Sequence, residues 1–218
     1  MLLLLLPQLA LADMPLPTYE DWLARSKWHE VNASLEATCQ FVPMEAAVVC
    51  DDLATVDRLI ADVESFQRHV LRDAGLEYLV GLAWRYRGGD KRARAKFKAA
   101  IALDPDYAAP WSDLGELHIL AGDFSEADRA FAQVTRLEST GPKSWIGPWR
   151  QAEVAAHLQD PQAFDAHMHE ALARGFSFRQ IEGLPNWKAF YADPVMRDAV
   201  EKLITVYGSR EILESLDR

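Results

Sequence analysis

The sequence predicts an all-α fold, a stack of paired helices, on three observations. Gly81 and Gly115, Ala93 and Ala127, and Phe97 and Phe131 are each separated by 34 residues. A fixed period of small and aromatic residues marks units stacked on one another. Within each period the apolar residues fall at spacings of three and four, the stripe of a helix that buries one face. No run of the chain reads as a strand.

With 218 residues, 50% of them apolar and 26% charged, the chain has ample material for a core. Its net charge of -10 argues against nucleic acid as a partner, because phosphate binding needs an excess of Lys and Arg.

Taken in order, residues 1–12, "MLLLLLPQLALA", form a short apolar run ending in Ala10-Leu11-Ala12. This resembles a signal peptide with its small-residue cleavage site, and it is too short to span a bilayer as a helix. The expectation is export to the periplasm or outside the cell, with a mature chain starting at Asp13. No Lys or Arg precedes the run, so a start further upstream, or a retained amino-terminal segment of a cytoplasmic protein, is the other reading.

Residues 13–73 read as an amino-terminal helical cap. Thr18 and Asp21 have capping-box spacing ahead of a first helix, and Asp51-Asp52 precedes a second, amphipathic helix through Val70. Between them stand Cys39 and Cys50, the only cysteines. An even pair in an oxidising compartment is expected to bridge, whereas in the cytosol the two would be small buried hydrophobes.

Residues 74–174 hold the repeats. In 74–107 and 108–141 each period is two helices broken by a glycine and an aspartate, Gly89-Asp90 and Gly122-Asp123, where Gly suits a helix end and Asp a helix start. A third, degraded pair covers about 145–174. Setting Ala152 at the small-residue position requires about three extra residues after Leu137, and this register leaves Pro148 in a first helical turn, where its missing N–H does no harm. Residues 175–218 read as a carboxy-terminal helical cap, with a helix starting at Asp193-Pro194 and ending at Gly208.

Trp111, Leu114, Gly115, Ala127 and Phe131, and in the preceding period Gly81, Ala93, Phe97 and Pro105, resemble the tetratricopeptide repeat (TPR), with His118 and Trp84 where that pattern has Tyr. The resemblance implies a solenoid of helical hairpins with capping helices. It also implies a concave groove, lined by the first helix of each unit, that holds a peptide or helix of a partner protein. Carried over position by position, that groove falls on Tyr78, Leu82 and Arg85, on Ser112, Glu116 and Ile119, and on Trp149, Glu153 and His157. Leu82 and Ile119 stand where the repeat does not need them for its own packing. Some relatives clamp a chaperone's terminal carboxylate with Lys, Asn and Arg, but Tyr78 and Leu82 occupy the first two of those positions, which rejects that partner class.

A second candidate surface is a basic stripe. Arg85, Arg87, Lys91, Arg92, Arg94, Lys96 and Lys98 face Asp90 alone, on an otherwise acidic chain. Lys91, Arg92, Arg94, Lys96 and Lys98 lie on the helix whose packed face is taken by Ala93, Phe97 and Ala100. A solvated face is one reading. Weak contact with an acidic partner or an anionic membrane, weakening as salt rises, is the other.

The chain contains no nucleophile elbow, phosphate loop, dinucleotide fingerprint or H-E-x-x-H. His167 and His169 are two apart, so on a helix they project in opposing directions and cannot grip one ion. No cofactor, metal or catalytic residue is expected. The function expected is a non-enzymatic scaffold, an adaptor or assembly factor of the cell envelope. The alternatives are a stable structural subunit of an envelope complex and a helical enzyme or small-ligand- or metal-binding protein.

Overall fold

The computed structural model describes residues 18–42, 47–178 and 185–217. The described helices are α1 (Tyr19–Thr38), α2 (Leu53–His69), α3 (Ala74–Tyr86), α4 (Asp90–Leu103), α5 (Ala108–Leu120), α6 (Phe124–Leu137), α7 (Ile146–His157), α8 (Pro161–Ala173), α9 (Pro185–Ala192), α10 (Arg197–Tyr207) and α11 (Arg210–Leu216). The fold is all-α, with one local correction. Strands β1 (Cys39–Val42) and β2 (Ala47–Cys50) form an antiparallel hairpin between α1 and α2, with Cys39 opposite Cys50. Neither CQFV nor AVVC alternates apolar with polar residues, and a short apolar run cannot be told from a helix segment by periodicity, so the pattern did not reveal them.

Cys39 and Cys50 are joined by a disulfide that closes this hairpin at its base. Such a bond persists in an oxidising compartment. The apolar run of residues 1–12 lies outside the described residues. Among the described residues no helix is long and apolar enough to cross a membrane.

Helices α3/α4, α5/α6 and α7/α8 are the three repeat units, each packed on the next. Their spacing follows from close contacts at the period positions. The Gly81 backbone lies directly against the Phe97 ring, leaving no room for a methyl group. At Gly115 a Cβ would come within 2.6 Å of Phe131. Phe97 and Phe131 are fully buried in consequence.

The third unit solves the same contact differently. Ala152 replaces the glycine, and the flexible Met168 stands in the place of the aromatic ring, both fully buried. Residues 104–107 connect the first two units, whereas 138–145 connect the second and third. The lengthened connection lets Gly147 lie against the backbone of Thr135 at the entry to α7. Pro148 falls in the first turn of α7, as the insertion register requires.

Gly88 and Gly122 end α3 and α5 with φ of 77° and 76°, the left-handed region that favours glycine. The Thr18 hydroxyl accepts from the Asp21 N–H at 3.1 Å, and the Asp21 carboxylate accepts from the Thr18 N–H at 2.7 Å, closing the capping box. Asp52 accepts from the Ala54 and Thr55 amides and caps α2. Asp123 departs from expectation: it makes no side-chain cap, and its carboxylate instead approaches His118 Nδ1 at 3.4 Å.

Helices α1 and α2 pack on α3 as an amino-terminal helix pair. Lys27 of α1 fastens them, pairing with Asp62 of α2 at 2.5 Å. At the other end α10 does not begin at Asp193-Pro194. Asp193 caps a turn, accepting from Val195 N at 2.7 Å, and the helix starts at Arg197. This cap covers α7 and α8 with the largest core, in which Phe164, Phe178, Trp187, Met196, Leu203 and Ile204 are buried together. Trp187 is thus a core residue. Trp145 and Trp149 stack around Phe176 at its edge, with centroids 5.5 and 6.0 Å away.

Candidate interaction face

The first helices α3, α5 and α7 are linked by a ladder of polar and charged side chains that includes four of the nine predicted groove residues, Tyr78, Arg85, Glu116 and Glu153. Tyr78 of α3 donates its hydroxyl to Asp113 Oδ2 of α5 at 2.9 Å. Arg85, also on α3, pairs with Asp113 and reaches Glu116 at 2.5 Å. Glu116 then accepts Arg150 of α7 at 3.2 Å, and Arg150 pairs in turn with Glu153. Three repeats are therefore joined by ion pairs through predicted positions on each of them.

Asp113 and Arg150 are the residues that sequence reasoning missed. With Ala152 set against Gly115 they occupy the same repeat position, carrying opposite charges in successive units. That alternation was the readable signal. The first unit has the buried Leu79 in that place, so the pattern begins only at the second unit.

Electrostatics follow the geometry. Burial, reinforced by the charge of Glu116, raises the Asp113 carboxyl to about 6, against the pull of Arg85 and Tyr78. Burial also works to raise Glu116, but Arg150 and Arg85 on either side outweigh it and hold that carboxyl below its ordinary value. Burial, with Asp113 beside it, pushes the Tyr78 hydroxyl far above its usual range, so Tyr78 stays a donor. Tyr107, edge-on to Tyr78 at 5.3 Å, is pushed up to about 12 by burial and then by Asp113.

The apolar positions behave differently from expectation. Leu82 is half-buried and packs into two neighbouring cores, and Ile119 packs against the core of Phe131 and Val154. Neither is spare, because each side chain packs against buried apolar neighbours. Ser112 of α5 is half-buried. Trp149 is half-buried, with the Arg150 guanidinium 5.0 Å above its ring.

His157 sits one place off the row assigned to it. The register that pairs Ala152 with Gly115 aligns Ile119 with the buried Ala156, and Leu120 with His157. His157 stacks flat on Phe124 at 4.8 Å and meets Phe190 edge-on at 4.9 Å. Burial, and then Arg150, lower its pKa. It closes the face against the carboxy-terminal cap.

The basic stripe is not one surface. Arg85 belongs to the ladder, Arg87 pairs with Asp57 at 2.9 Å, and Lys96 pairs with Glu64 and Glu77 at 3.1 and 3.2 Å. Arg92 lies over the Trp84 ring at 4.2 Å. Lys91, Arg94 and Lys98 have no acidic partner among the described residues.

Among the described residues no three His, Cys, Asp or Glu side chains converge as a metal set. His169 points Nδ1 at the Asp165 carbonyl at 2.8 Å and its ring at Tyr207, away from such a role.

The tetratricopeptide repeat family model matches residues 91–141, from α4 through α6. The fold is of the tetratricopeptide-repeat type, and the family model itself covers 51 of the 218 residues. A search of curated protein sequences returns no match. Among solved structures, the TPR-like repeats of a putative kinesin light chain from Podospora anserina superpose with a TM-score of 0.56. They are 14% identical, over 94% of this chain and 97% of that one. The crystal structure of MamA protein gives 0.50 at 15% identity, over 76% of this chain and 81% of that one. A second MamA structure, of MSR-1 C2, gives 0.51 at 12% identity, over 91% and 92%. At these identities the likeness is one of fold. Proteins of this class are typically non-enzymatic scaffolds that bind other proteins.

Proposed function

We propose that this protein is a non-enzymatic scaffold, an adaptor or assembly factor that holds a peptide or helix of another protein on the face of α3, α5 and α7. The observation that carries this reading is the ladder from Tyr78 and Arg85 through Asp113 and Glu116 to Arg150 and Glu153. It holds three first helices in a fixed relation, so a ligand meets a pre-organised surface and less of its binding energy goes into ordering it. Arg85 and Glu116 keep 26% and 32% of their side chains exposed, which leaves charged edges for a polar partner. The Cys39–Cys50 disulfide supports an exported setting, and the apolar run of residues 1–12 supports the cell envelope as its place.

Photo-crosslinking tests this. A photoreactive residue at Ser112 of α5 is expected to trap one partner in intact cells, identified by affinity purification and mass spectrometry. The same residue at the exposed Lys202 on α10 is expected to trap none. A partner trapped only from Lys202 would overturn the assignment of the face.

A further inference from the structure

We infer that the outer surface of α4 and α6 is a second docking surface, specific for an acidic protein segment carrying one large apolar side chain. It lies apart from the face of α3, α5 and α7.

The first support is what remains of the basic stripe after folding. Intramolecular pairs take up Arg85, Arg87 and Lys96, and Arg92 is drawn over Trp84. Lys91, Arg94 and Lys98 remain, spaced three and four apart, which aligns them along one side of α4 over about 10 Å at 1.5 Å per residue. Lys91 and Lys98 are exposed, and Arg94 is half-buried with its Nε turned inward and without an acceptor among the described residues. A line of unneutralised cations on a chain of net charge -10 carries a local field opposite to that of the whole.

The second support is a slot beside that line. Between α4 and α6 a cavity of about 210 Å³ is walled by Ile101, Trp111 and Leu114, and the exposed Lys98 and Arg129 border it. Arg129 also pairs with Glu126 at 2.6 Å, which neutralises the one acid of the rim. The slot holds roughly seven water volumes, below the ~300–1,000 Å³ of small-molecule sites. It suits a single leucine- or phenylalanine-sized side chain.

Charge and shape together select the occupant. A short acidic segment lays its carboxylates along Lys91, Arg94 and Lys98 and puts one apolar side chain into the slot. An anionic bilayer presents charge over a wide plane and has no side chain for the slot, while the acidic remainder of the molecule repels it.

Fluorescence anisotropy with a labelled synthetic peptide, Asp and Glu residues flanking one Phe, tests the inference on the intact protein. Binding is expected at low salt, falling as ionic strength rises and the screening length drops to ~10 Å at 0.1 M. Replacing the peptide's Phe by Ala is expected to weaken binding about fivefold or more, the equivalent of roughly 1 kcal/mol. The double substitution Lys91→Glu with Lys98→Glu, at two exposed positions, is expected to weaken it at least about tenfold, and Lys91→Gln with Lys98→Gln by less. Both variants should keep the circular dichroism melt of the parent. No binding at low salt, or equal binding by the charge-reversed protein, would overturn the inference. So would an unchanged affinity for the Ala peptide. Sedimentation with phosphatidylserine-containing vesicles, lost in the charge-reversed variant and without peptide binding, would overturn it in favour of a membrane.

Discussion

The hydroxyl of Tyr78, on the first helix of one repeat, donates to the carboxylate of Asp113, on the first helix of the next, at 2.9 Å. Arg85 pairs with the same carboxylate. The position of one unit against its neighbour is thus set by a polar contact at the surface as well as by the glycine–phenylalanine contacts beneath it.

That contact has a pH signature. The Asp113 carboxyl is raised to about 6 by burial and by Glu116, well above its unfolded value near ~3.9. Between these values the folded protein binds a proton that the unfolded chain has released. Stability from this group therefore falls as pH rises from about 4 to about 6. Glu116, held low, acts in the opposite sense, losing its contribution as pH falls through its own lowered value. Asp113→Asn should flatten the loss between pH 4 and 6, by on the order of 1–3 kcal/mol in denaturant melts. An unchanged slope would show that Asp113 titrates normally.

Gly115→Ala should lower the melting temperature, because the added methyl would lie 2.6 Å from the buried Phe131 ring. Phe131→Ala alone should cost about 3–5 kcal/mol through the cavity it leaves. The combination Gly115→Ala with Phe131→Met copies the third unit's Ala152 and Met168, and should be more stable than Gly115→Ala alone. Calorimetry of the three variants checks this. Additive losses would show that the two sites do not share one contact.

The Cys39–Cys50 bond should protect both thiols from alkylation unless a reductant is present. Cys39→Ser with Cys50→Ser should lower stability by about 2–4 kcal/mol in thermal melts, chiefly through the freedom returned to the unfolded chain. The change should fall on α1 and α2, which the hairpin joins, and hydrogen exchange should show faster opening there than in α5 and α6.

Leu82→Asp should destabilise the fold, since Leu82 packs into the cores on both sides of α3. Burying a charge there without a partner should cost at least about 2 kcal/mol. The better probe of partner binding is Ser112, which adds no charge to the ladder. A Leu82→Asp melt equal to the parent's would place that side chain in solvent.

Helix pairing, the repeat register and the caps were legible because each depends on neighbours in the chain. Gly81 and Phe97 lie within one unit, Thr18 and Asp21 within one turn, and Pro148 tolerates only the start of a helix. A period of 34 residues exposes such local rules twice over, which is why the fold class and the two clear units could be read directly. The hairpin escaped because its two short strands do not alternate apolar with polar residues.

What the tertiary structure alone decided is which of the equivalent-looking side chains remain available. Leu82, Arg92 and Lys96 looked free and are engaged by packing, by Trp84 and by Glu64 and Glu77, respectively. Asp113 and Arg150 drew no attention and became the joints of the ladder. The physical reason is range. A helix stripe or a cap is written within a few residues, but an ion pair between α3 and α5 joins positions 28 residues apart, and its existence depends on the distance between two helix axes. That distance is set by the whole packed stack, where Gly115 meets Phe131 and Gly147 meets Thr135, so no single stretch of the chain contains it.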